Sequence, residues 1–257
     1  MSDLLYHHHS QKTIRLLTYN IQAGIGSHRY RHLFTHCLRY VLPHRHAMAN
    51  LGTIAESIRP YDIVALQEAD AGSYRTRFLH QTDYLAENAR FDHVSNLTTR
   101  EIGNIATLNQ SLLSRLAWEH VAHHRLPGSR HGRGAIEAHF HIGGKRIALI
   151  STHLSLRKSS RLRQFHYLAH LLAHQQHAII MGDLNCESGD DDFTAFLQHS
   201  GMQRPSNESP RTFPSWQPLR GLDHILVKGG LQLVGLTALA VNSSDHLPVA
   251  AEIRILD

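Results

Sequence analysis

The sequence predicts a mixed α/β fold in which large mixed β-sheets are covered by helices within one domain. Three observations carry that expectation. Strand-like and helix-like segments alternate in the early and late parts of the chain. The centre instead holds successive β-rich runs, two of them joined by Gly143-Gly144, which reads as a hairpin turn. The length of 257 residues, with 42% apolar and 18% charged content, is enough to bury a sizeable core.

The segments follow in order. "TIRLLTYNI" is rich in β-formers and is predicted to be a strand. "MANLGTIAESI" sets Leu51, Ile54, Ala55 and Ile58 at helical spacing before Pro60. "DIVAL" is a short buried strand leading into Gln67 and Glu68. "RFLHQTDYLAENAR" reads as a helix with Phe78, Leu79, Leu85 and Ala86 on one face. The runs "SLLSR", "WEHVAHH", "AIEAHFHI" and "RIALIST" read as strands. In the helix predicted for "SSRLRQFHYLAHLLAHQ", Leu162, Phe165, Leu168, Ala169 and Leu172 fall in register. The strand "AIIM", the helix "DDFTAFLQ" and the strands "DHILV", "LQLVGL" and "VAAEIRI" complete the chain.

The formal charge is +5 with 24 histidines counted as neutral, a balance that favours anionic partners. The two cysteines, Cys37 and Cys186, lie far apart and form neither a disulfide framework nor a zinc pattern. The first twelve residues lack the pattern of a secretory signal and are expected to be a flexible tail. No run is long and apolar enough to span a membrane, so the expected location is the cytoplasm. Residues 26–46, crowded with Arg and His, form a basic insertion. It reads either as a solvated excursion or as a flap over an anionic substrate.

Polar groups recur where apolar strands end. Asn20 ends "RLLTYN", Glu68 ends "IVALQE", His153 ends "ALISTH", and Asp183 and Asn185 end "AIIMGDLN". Asp245-His246 precedes the final strand, and Asp223-His224 opens "LDHILV". Each alone has a structural explanation, but the repeated placement points to a site built on rigid strand ends.

The ordered set "TYNIQ", "LQE", "LLSR", "STHLS", "GDLN", "LDHILV" and "SDHLPV" resembles the endonuclease/exonuclease/phosphatase superfamily, also called DNase I-like, from about Ile14 to Ile255. The resemblance implies a four-layer sandwich, with two mixed, mostly antiparallel sheets packed face to face and helices outside. It also implies Mg²⁺-dependent hydrolysis of a phosphoester, with Mn²⁺ able to substitute.

The residue chemistry agrees, since this reaction needs a hard cation, a positioned water and charge stabilisation at phosphorus. Glu68 is the expected metal ligand, with Asn20 bonding the metal shell or a phosphate oxygen and Asp245 either a second metal ligand or the orienter of a neighbouring His. Asp183 is the expected base for the attacking water and Asn185 the holder of a phosphoryl oxygen. His246 and His153 are expected on the non-bridging or leaving oxygens. Asp223 matches the family aspartate that bonds the catalytic histidine and is assigned to His246, with His224 a bystander.

In place of the family's Gly-Asn-Ala the chain reads Asn109-Gln110-Ser111, so Gln110, Asn104 and Glu101 are all candidate partners of His153. Arg133, between Gly132 and Gly134, and Arg157, beside a helix start, are candidates for substrate phosphate. Arg161 and Arg163 read as a solvated basic face.

The leading expectation is a phosphodiesterase on an anionic substrate, nucleic acid among the candidates. A phosphomonoesterase or a lipid phosphodiesterase stands second. A phosphate- or metal-binding protein without turnover and a histidine-rich zinc protein are the readings from other classes. The "FPSWQPL" loop, with Phe213 and Trp216, could serve a base, a lipid or packing.

Overall fold

The computed structural model describes residues 13–24, 47–73, 76, 78–102, 106–128, 132–204 and 209–256. The N-terminal tail, the basic insertion and Asn104 lie outside the described residues.

Among the described residues, eleven strands form two sheets. The first has the order β10-β11-β1-β2-β4-β3 and the second β5-β6-β7-β8-β9. The first comprises β1 (Thr13–Asn20), β2 (Ile63–Asp70), β3 (His93–Ile102), β4 (Ala106–Ser114), β10 (Leu231–Ala238) and β11 (Val249–Ile255). The second comprises β5 (His120–Arg125), β6 (Gly134–Ile142), β7 (Lys145–His153), β8 (Ala178–Asp183) and β9 (Asp223–Lys228). Only β1–β2 and β7–β8 pair in parallel; all other neighbours are antiparallel. Both sheets are therefore mixed and mostly antiparallel, as expected.

Strand alternation sorts the apolar residues into three layers. Ile14, Leu16, Ile63 and Leu112 of the first sheet meet Phe140, Leu149, Met181 and Ile225 of the second in one core between the sheets. Leu17, Tyr19, Val64 and Leu66 face outward onto helices α1 (Ala47–Ile58) and α2 (Gln81–Ala89). Ala148, Ile150, Ile180 and Leu226 face outward onto α3 (Lys158–Leu172) and α4 (Asp191–Ser200). Here Phe165 stacks on Phe196 at 4.5 Å. Fully burying one such side chain contributes about 1.5–3 kcal/mol. The result is a sandwich of helices, sheet, sheet and helices.

Two elements depart from the sequence expectation. The helix expected from Arg77 begins at Gln81. Phe78 adopts φ +64°, outside the helical region, and stands 69% exposed. Gln81 is fixed at the helix start because its amide donates to Ala23 O at 2.8 Å and accepts from the Asp70 N–H at 2.9 Å. The second departure is β3, which the sequence reading did not place. It is an edge strand paired only with β4, and its Asn, Thr and Arg residues dilute the apolar signal.

Candidate active site

The inward-facing positions explain where the polar groups meet. Along β1 the inward series runs Ile14, Leu16, Thr18, Asn20; along β7 it runs Ile147, Leu149, Ser151, His153. Along β8 it ends Met181, Asp183, and β9 begins it with Asp223 before Ile225. The layer between the sheets is thus apolar at one end and polar at the other. Two amides mark the change. Gln67 donates to Thr18 Oγ1 at 3.1 Å, and Gln110 donates to Ser151 O at 2.6 Å.

Register finishes the alignment in the second sheet. His153 pairs with Asp183 and Asp183 with Asp223, so three adjacent strands present one row of ionisable groups. Gly182 makes this possible. At φ +150° its ideal Cβ would stand 1.8 Å from Thr152 O of the neighbouring strand, so no side chain fits. In the first sheet Asn20 pairs with Gln67. Glu68 does not end its strand; it occupies a bulge where the β2–β4 register shifts between Leu66 and Ala69, at φ +56°. Bulges re-aim side chains in this way near functional sites.

Asp183 is the hub. Its Oδ2 accepts from Asn20 Nδ2 at 3.2 Å and lies 3.3 Å from His153 Nε2 and 3.8 Å from His246 Nε2. Its Oδ1 accepts the Asn185 N–H at 3.0 Å. His246 Nδ1 sits 2.8 Å from Asp223 Oδ2, which also accepts from Thr212 Oγ1 at 2.5 Å. Among the described residues, Asp223 Oδ1 is buried without a hydrogen-bond partner. Asp183, Asp223 and His246 bring their ligand atoms within 4.8 Å of one another, a grouping that could hold a metal ion.

The electrostatics follow from burial and crowding. Burial raises the Asp183 pKa to about 7, with His246 opposing and Asp223 adding. Burial opposes the charge on His246, but Asp223, Asp183 and Asp245 outweigh it and lift its pKa to about 10. His153 is pushed well down, first by burial and then by Arg133 and His246, and is neutral. Burial raises Asp245 to about 6, His246 opposing and Glu68 adding. Burial lowers Arg133, while Glu68 and Asp183 hold its charge.

The expected residues therefore converge, with several changes of detail. Gln110 spends its donor on Ser151, and among the described residues the close polar neighbour of His153 is Asp183. Asn185, at φ +53°, donates to Leu154 O at 2.9 Å. Gly132 and Gly134 serve packing: an added Cβ would strike Thr99 O at 2.7 Å and Leu97 Cδ2 at 2.4 Å. They let the loop press onto β3 and fix where Arg133 projects. His224 is held apart by Ser209 and Cys186 O. Phe213 packs on the His246 ring at 4.9 Å.

Arg161 overturns its sequence reading. It is buried, donates to Asp192 at 2.7 Å and to Asn185 O at 2.8 Å, and so anchors the turn after β8. Thr212 and Ser244 were also missed. Ser244 Oγ donates to Asn20 O at 2.6 Å and ties the connection ahead of β11 to the end of β1 within the first sheet. The only sequence signal for Ser244 was its place in "SSDH".

The site is thus a row of His153, Asp183 and Asp223 on adjacent strand ends of the second sheet, faced by Asn20 and Glu68 of the first. A model of the endonuclease/exonuclease/phosphatase family matches residues 17–246. The chain belongs to that family. Its fold is similar to solved members and relatives at low identity. An endonuclease/exonuclease/phosphatase from Beutenbergia cavernae aligns with TM-score 0.75 at 17% identity, over 96% of this chain and 72% of that one. A mannosyl-6-phosphatase from Bacteroides thetaiotaomicron gives 0.68 at 16%, over 93% and 99%. Sphingomyelinase C from Streptomyces griseocarneus gives 0.66 at 16%, also over 93% and 99%. A search of curated proteins found no match. The family comprises hydrolases of phosphoesters and is generally metal-dependent. Among the described residues, no helix is long and apolar enough to cross a membrane.

Proposed function

We propose that the chain, acting as one catalytic domain, is a Mg²⁺-dependent phosphodiesterase that cleaves an anionic substrate by attack of an activated water. The observation that carries this reading is the convergence of Asn20, His153 and His246 on one Asp183 oxygen, with Asp223 behind His246. Asp183 takes the proton of the attacking water. Its raised pKa suits a base working near neutrality.

His246, kept charged by Asp223, donates from Nε2 toward a non-bridging oxygen as negative charge grows there. Neutral His153 donates a second hydrogen bond. Asn185 spends one amide N–H on Leu154 O, and its second N–H remains for a phosphoryl oxygen. Arg133 neutralises the scissile phosphate from the cavity side.

Glu68, Asp245 and Asn20 would hold the cation. Two neighbouring carboxylates, of which Glu68 adds to the raised proton affinity of Asp245, suit a hard divalent ion with oxygen ligands. Within the Asp183–Asp223–His246 group the imidazole is bound at Nδ1 by Asp223 and offsets one of the two carboxylate charges, so that group is assigned to proton handling. When bound, the ion supplies Lewis-acid polarisation of the phosphoryl oxygen.

The test is a substrate panel with Mg²⁺ and with chelator: duplex and single-stranded nucleic acid, sphingomyelin, inositol phosphates and bis-(4-nitrophenyl) phosphate. Hydrolysis of a diester that stops on chelation is expected. Cleavage of monoesters alone would replace diesterase with phosphomonoesterase, and turnover unaffected by chelation would remove the metal assignment.

A further inference from the structure

A cavity of 620 Å³ opens beside Glu68 and is lined by Arg100, Arg133, Arg157 and Arg163. Glu68 is the only carboxylate among its described lining residues. Four guanidinium groups against one carboxylate is a large excess of positive charge in one small cavity. Some described arginines elsewhere are paired with acids, Arg161 with Asp192, Arg220 with Glu187 and Arg146 with Glu119, while Arg115 and Arg204 bond backbone carbonyls. Among the described residues, Arg100, Arg133, Arg157 and Arg163 form no ion pair within salt-bridge distance.

The cavity is also built. Gly128, at φ +94°, lets the Arg163 guanidinium lie against the loop, since an added Cβ would come within 2.9 Å of Nη2. The first turn of α3 faces it through Arg157, Ser159 and Ser160, and that helix start has no side-chain cap. A carboxylate could not accept from so many donors, whereas a phosphate has the oxygens and the charge to do so.

We propose that this cavity seats a second phosphate of the substrate, distinct from the scissile one held at Asp183 and His246. The inference rests on the hydrolase reading above and names its substrate class: a phosphoester that carries at least one further phosphate. Arg133 lies between the two positions, and Arg100, Arg157 and Arg163 belong to the second.

Two matched substrate pairs test it. One is the 4-nitrophenyl ester of thymidine 5′-phosphate with and without a 3′-phosphate, which represents a nucleic-acid strand. The other is inositol 1-phosphate against inositol 1,4-bisphosphate, which represents a phosphorylated small molecule. In at least one pair the added phosphate is expected to raise kcat/KM about tenfold or more, mainly through KM, as one charge-assisted hydrogen bond would. The pair that responds identifies the source of the phosphate.

The double variant Arg100→Ala/Arg163→Ala is expected to bring that ratio to within about twofold of unity, with folding confirmed by circular dichroism. Arg100→Lys/Arg163→Lys, which keeps the charge, should retain part of the ratio. Turnover without preference in either pair would overturn the inference alone, as would a preference that survives the alanine variant. Absence of turnover on every phosphoester, in folded protein with Mg²⁺, would overturn the hydrolase reading and this inference with it.

Discussion

The two sheets bring different chemistry to the same cleft. The first contributes Asn20 and Glu68, with Asp245 and His246 both on the connection ahead of its strand β11. The second contributes His153, Asp183 and Asp223 in one row, and His246 leans onto that row at 2.8 Å from Asp223. The difference follows from how each strand terminates. In the second sheet regular pairing continues through Asp183 and Asp223, so side chains align closely enough to exchange protons. In the first a bulge throws Glu68 out of register, which suits a ligand that must reach an ion and not a neighbouring strand. In the mechanism proposed above, the row on the second sheet, joined by His246, handles protons, and the oxygen donors of the first sheet hold a cation.

The strongest way to break this comparison is at Asp183. Asp183→Asn keeps shape and removes the proton acceptor. Single-turnover hydrolysis is expected to fall by about two to four powers of ten, while substrate affinity survives. His246→Ala should be comparably damaging, and the double variant should lose less than the product of the single losses, because both act on one step. Near-normal rates in folded Asp183→Asn would show that the second sheet does not handle the proton.

A second large effect is expected from a residue that touches neither the reacting groups nor the cation set. Arg161→Met removes the buried partner of Asp192 and the donor to Asn185 O. Leaving a buried carboxylate unpaired costs about 3–5 kcal/mol. Thermal or urea unfolding should register that loss, and kcat should fall in Mg²⁺-saturated protein, because the Asn185 turn loses its anchor. Unchanged stability would mean that the pair is dispensable.

Arg161 also shows where sequence reasoning stops. The strand-end groups were legible because each closes an apolar run, and strands of a packed sheet place such ends together. The partner of Arg161 lies 31 positions away on another helix, so the sequence shows only one basic residue among several. Strand β3 was illegible for a related reason. An edge strand is held by one neighbour and by solvent, so its side chains need not alternate, and "HVSNLTTREI" carries no clear period. The bulge at Glu68 and the close approach behind Gly182 are tertiary facts as well; the Gly in "GDLN" hinted at the second but did not name Thr152.

The first sheet's role is tested by titrating Mg²⁺ against Glu68→Gln. Removing the main charged oxygen donor is expected to weaken apparent metal affinity by roughly 10- to 100-fold or more, the scale already seen for residues one shell further out. Rates at saturating Mg²⁺ should recover more fully than in Asp183→Asn. If Glu68→Gln instead lowers the saturated rate as far as Asp183→Asn does, with metal affinity unchanged, the two sheets do not divide the work.

The smallest expected effect sharpens the comparison most, because it lies on the seam. Asn20 belongs to the first sheet but donates to Asp183 Oδ2 of the second at 3.2 Å, and its Oδ1 accepts the Gln22 N–H at 3.1 Å. Ser244 holds the Asn20 backbone from the other side. Asn20→Ala removes one hydrogen bond to a carboxylate, worth about 1.5–3 kcal/mol at most and less if water replaces it. The rate should fall by about three- to thirtyfold, and apparent Mg²⁺ affinity should weaken as well. Each single change at a separated site would move only one of these quantities, so a shift in both is the signature of a residue that joins the sheets. A double-mutant cycle with Asp183→Asn supplies the decisive number. If Asn20 acts through the Asp183 carboxylate, its rate effect should largely vanish in the Asp183→Asn background while its metal effect persists. If the rate effect stays at full size, Asn20 acts through the cation alone and the bond across the seam has no catalytic consequence.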